Sequence, residues 1–115
     1  MEIKFEDKIK VKGNGITLEN SDNMLLGRYL ISILPISVRG RNTNIVMVKN
    51  ITILLQCEGK TIFQDTGRLL IRMFKDEEGQ EHCLTLELKV GKRLFYLQQI
   101  LERYDDKIVS MTCSA

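Results

Sequence analysis

The sequence is short of the material from which reactive centres are made. It holds one histidine, His82, and three cysteines, Cys57, Cys83 and Cys113, all far apart. Nucleophilic catalysis needs a nucleophile, a base and a group that orients the base, and no such set stands out. A zinc cage needs four Cys or His ligands at short loop spacings, which these residues do not offer. Three widely spaced cysteines also fail to make a disulfide framework and point to reduced thiols in a reducing, cytoplasmic compartment. No metal or cofactor is expected, and the chain reads as a non-enzyme.

Other absences narrow the class. The chain does not open on a basic segment followed by an apolar run, so no secretory signal is expected. Its longest mainly apolar stretch, Tyr29 to Val38, is too short for a transmembrane segment and contains Pro35, the single proline. A strong excess of one charge is lacking too. The 17 basic and 15 acidic residues sum to +2, whereas dedicated duplex binders work by neutralising many phosphates. The surplus lies early: residues 1–49 hold eight Lys/Arg and five Asp/Glu, residues 50–115 nine and ten. Gly13-Asn14-Gly15 lacks the lysine–hydroxyl pair of a phosphate loop and reads as a turn. Asp76-Glu77-Glu78 lacks the alternating ligands of a calcium loop and reads as a solvated hairpin turn.

What remains is an ordinary globular balance, 43% apolar and 28% charged, in one domain spanning 1–115. A chain of this length buries enough surface to fold without staples. Ile3, Phe5, Ile9 and Val11 alternate with Glu2, Lys4, Glu6, Lys8, Lys10 and Lys12, the period of a half-buried strand. Asp7 breaks the apolar phase, marking a bulge or an exposed middle. Gly13-Asn14-Gly15 supplies a hairpin turn into Ile16-Thr17-Leu18. Residues 28–38 read as a buried strand bent at Pro35. Ile45–Val48 and Ile51–Leu55 are strand-like, as two strands or as one kinked at Lys49-Asn50. Glu58-Gly59 turns the chain into a strand from Thr61, and Leu69, Ile71 and Met73 phase another. His82, Leu84, Leu86, Leu88 and Val90 alternate with Cys83, Thr85, Glu87 and Lys89, so His82 is expected as a neutral core or edge histidine facing away from Cys83. Gly27-Arg28-Tyr29-Leu30-Ile31 echoes Gly67-Arg68-Leu69-Leu70-Ile71; a duplicated hairpin would account for that, but plain strand composition suffices.

After Gly91 the period changes. Leu94, Leu97, Leu101, Tyr104 and Ile108 recur at helical spacing, so an amphipathic helix is expected over 91–109, with 110–115 a frayed tail. The fold class is α+β: 1–90 β-rich, with about seven antiparallel strands in a curled sheet or partly open barrel, and one C-terminal helix. A small β-sandwich plus helix has the same ingredients. The element order resembles the pleckstrin-homology-like architecture, a curled antiparallel sheet closed at one end by a helix; the likeness rests on order alone and brings no binding residues.

Two basic features remain as contact candidates. Lys8, Lys10 and Lys12 share one strand face, and Arg39 and Arg41 flank Gly40 in a loop. Lys92 and Arg93 start the expected helix and Asp105-Asp106 end it, against the macrodipole, a mismatch that either local salt links absorb or partners outside the chain exploit. The expectation is a non-catalytic protein-interaction module, an adaptor, assembly component or small inhibitor, with homo-oligomerisation open to it. Contact would come from strand edges and the outward Leu70 and Phe74. The alternative is a binding module for an anionic lipid headgroup or nucleic acid, gripped by the basic residues.

Overall fold

The fold is described from a computed structural model for residues 1–13, 15–35, 38–39 and 44–115, with Val38, Arg39 and Asn44 defined by backbone alone. Strand β1 (Glu2–Lys12) turns at Gly13 into β2 (Gly15–Leu18), and β3 (Met24–Leu25) returns along β2. Helix α1 (Leu26–Ile33) follows, then the short β4 (Val38–Arg39). Two long strands, β5 (Asn44–Cys57) and β6 (Lys60–Lys75), form a hairpin through Glu58-Gly59, both with positive φ. The chain continues through β7 (Glu81–Val90), β8 (Arg93–Tyr96), the short helix α2 (Leu97–Leu101), a 3₁₀ turn (Glu102–Tyr104) and β9 (Ile108–Ser114).

All nine strands belong to one antiparallel sheet in the order β3-β2-β1-β9-β5-β6-β7-β8, with β4 on the upper half of β5. The sheet curls around one apolar core without closing into a barrel. Ile51, Ile53, Leu55, Leu69, Ile71, Leu86 and Leu88 face that core, and α1 and α2 close it with Leu26, Leu30, Leu97 and Leu101. At 25 cal/mol per Å² such burial is the main favourable term. Gly27 lets α1 sit this close: a Cβ there would meet Cys83 Sγ at 2.9 Å and Met73 Sδ at 3.0 Å.

The fold class is thus mostly antiparallel sheet with two short helices, and several sequence expectations change. Residues 28–38 were expected as a strand, yet 26–33 are helical, because Leu26, Leu30 and Leu34 recur every fourth residue and find the core together. The echo between residues 27–31 and 67–71 is therefore no duplicated hairpin, since one copy is helix and the other strand. The expected helix over 91–109 shrinks to α2 and the 3₁₀ turn. The expected tail 110–115 is β9, seated between β1 and β5 near the middle of the sheet. Val109, Met111 and Cys113 point into the core, and Ser110 and Thr112 on the other face are also buried.

Two bulges set the phase of the long strands. Between Val48 and Ile51 the extra residue carries Asn50 at φ 53°, which keeps β5 one continuous strand with both halves facing inward. On β7, Thr85 faces Arg72 and Cys83 faces Met73, so Leu84 is extra. One inserted residue inverts the side-chain alternation. Leu86 and Leu88 stay inside, but before the bulge Cys83 turns in and His82 and Leu84 turn out. The expected placement of His82 among aliphatic neighbours is corrected by this one residue.

Asp7 is corrected as well. It is buried, and its carboxylate accepts hydrogen bonds from the N–H of Lys8 (2.7 Å) and Asn20 (2.9 Å) and from the Ser21 hydroxyl (2.8 Å). It anchors the turn between β2 and β3. Burial raises its pKa, but these donors more than offset that, and the net shift is downward.

Candidate functional site

Where the curled sheet fails to close, the β1–β2 hairpin faces the edge of β7. Strand β8 pairs only with Glu87–Val90, so Glu81 to Leu86 pair with β6 on one side and with no strand of the described residues on the other. Strand β2 approaches β7 without pairing to it. The seam between them holds a groove of about 540 Å³, walled by Lys12, Thr17 and Leu25 on one side and Phe74, His82 and Leu84 on the other. A second hollow of about 260 Å³ continues it past Leu84 to Val11, Ile16 and Tyr96. Leu84, pushed out by the bulge, is 56% exposed, and Phe74 is 40% exposed.

The polar groups of the seam are fastened in place. His82 Nε2 lies 2.8 Å from Asp76 Oδ2, and its ring stacks on Phe74 with centroids 5.0 Å apart. Asp76 Oδ1 accepts the N–H groups of Glu78 and Gln80, both at 2.9 Å, so the same carboxylate caps the β6–β7 turn. The His82 hydrogen bond, then the Gln80 N–H, lower the Asp76 pKa. Glu81 is forked by Arg28 of α1, with Nε donating to Oε1 at 2.9 Å; that hydrogen bond lowers the Glu81 pKa and raises that of Arg28. Cys83 faces the core, where burial pushes its thiol up to about 11, and Sγ donates to the Thr85 carbonyl across the bulge at 3.4 Å.

A histidine beside a carboxylate in an open groove is a fragment of acid–base machinery, and the sequence did not place it there. The adjacent thiol points away into the core, and the carboxylate also accepts two backbone N–H groups of the turn.

Of the basic residues singled out in the sequence, the structure brings Lys8 and Lys10 together. Lys8 (3.3 Å) and Lys10 both pair with Asp106, whose pKa is lowered first by the Lys10 hydrogen bond and then by that of Lys8. The Asp105 carboxylate accepts the Val11 N–H at 2.8 Å. The acidic pair thus staples β1 to the turn before β9. Lys12 lies at the rim of the seam and forms no ion pair among the described residues. Residues 91–96 are turn and strand, so Lys92 and Arg93 begin no helix; Arg93 lies over the Phe95 ring at 4.9 Å. Arg39 is placed by backbone only, opposite Val46, and Arg41 lies outside the described residues.

No family model matches the chain, and neither a curated protein nor a solved structure does. Among the described residues no helix is long and apolar enough to cross a membrane.

Proposed function

We propose that the protein is a non-catalytic interaction module that takes an extended segment of another protein along the seam. The observation that carries this reading is the half-paired edge of β7 with Leu84 extruded beside it. An open strand edge offers unpaired N–H and C=O groups to an incoming chain, and apolar side chains beside it give anchoring and register. Tyr96 is of the residue type that often dominates binding energies, and Phe74 and Leu84 add exposed apolar surface beside the edge. Phe74 was legible as an outward apolar residue from the strand phase alone. The pleckstrin-homology-like order expected from the sequence lends no support, because here a strand follows the helix and returns to mid-sheet.

The test is selection of displayed random peptides on the immobilised protein, followed by calorimetry. Enriched peptides should alternate apolar residues and lose about tenfold or more in affinity to Leu84→Glu. Equal binding by wild type and L84E, or no enrichment, removes the seam as the site. Self-association abolished by L84E would make a second copy the occupant. Turnover of any substrate that vanishes in His82→Ala would restore the enzymatic reading.

A further inference from the structure

Away from the seam, a row of cations crosses three strands. Arg68 on β6 faces Lys89 on β7 directly across the antiparallel ladder. The β5 bulge sets Lys49 and Asn50 against the same position of β6. Together with Gly67 and Gly91 these residues line an open groove of about 490 Å³. All three cations are exposed, and none forms an ion pair among the described residues, although Lys8, Lys10, Arg28 and Lys107 all do.

Like charges directly opposite in a sheet repel and destabilise it. A Cβ at Gly67 would collide with the Lys89 carbonyl, so only glycine permits β6 and β7 to approach this closely in that row. A groove lined by three exposed cations without an ion pair among the described residues and by an amide side chain, with no carboxylate among its lining residues, is complementary to an anion of several charges. Arg68 supplies a planar fork for two oxygens, and the two ammonium groups flank it as point charges. No aromatic side chain lines the groove, so nothing there would stack a base.

We infer that the Lys49–Arg68–Lys89 row binds a compact anion carrying condensed or clustered phosphates. The site shares no residue with the seam and stands whether or not a peptide binds there. Its probe is inorganic pyrophosphate, followed by amide proton–nitrogen NMR at constant ionic strength. Saturable shifts are expected at Asn50, Gly67 and Gly91. Arg68→Gln should weaken binding about tenfold, Arg68→Lys should lose less, and Lys12→Gln should change nothing. A second readout is thermal: Lys89→Gln should raise the melting temperature of the free protein, by removing the repulsion, and lose the rise that pyrophosphate gives wild type. In a parallel arm, vesicles of phosphatidylcholine doped with a phosphoinositide distinguish the source. Sedimentation with them, competed by pyrophosphate, assigns the site to a lipid headgroup; binding of pyrophosphate alone assigns it to a soluble phosphate. Absent or non-saturating shifts, or equal shifts in Arg68→Gln, overturn the inference.

Discussion

Asp7 shows how a single residue can carry a turn. Its carboxylate satisfies three donors from Lys8, Asn20 and Ser21 in a buried position. Removing it leaves those donors stranded, so Asp7→Ala should cost about 2–3 kcal/mol in urea unfolding. The pH dependence follows from the direction of its shift. A carboxylate whose pKa is depressed on folding contributes fully above its unfolded value, near the ordinary 3.8, and loses that contribution as pH falls through the folded value. The stability gap between wild type and D7A should therefore be constant near neutrality and narrow below about pH 4. A constant gap down to strongly acidic pH would show that Asp7 acts by shape, not charge. In the sequence Asp7 stood out only as an interruption of an apolar phase. Alternation reports which face a residue takes, but not whether donors wait there.

At the scale of elements, the bulge on β7 decides the chemistry of the seam. Leu84 is the extra residue, and it sets Cys83 inside and His82 outside. Deleting Leu84 should remove the bulge without changing the phase, because Cys83 then directly precedes the outward Thr85 and still faces the core, with His82 outside. The wild-type Cys83 thiol, buried with a pKa pushed up to about 11, should be inert to a disulfide reagent under native conditions. The deletion variant should keep the thiol inert while losing the apolar anchor of the seam, and a Cys83 that reacts would mean that the register slips instead. The same reasoning explains why the seam was hidden in the sequence. Residues 82–90 alternate cleanly on paper, and a bulge has no compositional mark when the inserted residue is a leucine. The helix α1 was missed for the complementary reason: isoleucine and tyrosine favour strands by propensity, but tertiary packing of every fourth residue overrode it.

For the molecule as a whole, β9 is the keystone. It joins β1 to β5, and without it the sheet would part into two pieces. Deleting residues 108–115 should abolish cooperative unfolding and disperse the amide spectrum no longer. Met111→Ala, which removes a core side chain while keeping the strand, should cost about 2–5 kcal/mol and leave the fold intact. A folded, cooperative truncation would demote β9 to an accessory strand. Its alternation, Val109, Met111 and Cys113 against Ser110, Thr112 and Ser114, was readable. It was overshadowed by the helical spacing of Leu94, Leu97, Leu101, Tyr104 and Ile108, which spans a strand, a short helix and a turn in the structure.

The sequence by itself determined that the chain is a mostly antiparallel β protein, with a period-two β1, a Glu58-Gly59 hairpin and the outward Phe74. These follow from local alternation and turn chemistry, which neighbouring residues specify. Tertiary structure alone decided that Asp106 would neutralise Lys8 and Lys10, that Arg68 and Lys89 would face each other with Lys49 beside them, and that the sheet would stay open between β2 and β7. Each of those depends on register between segments far apart in the chain, and register is fixed by the common core rather than by any one segment.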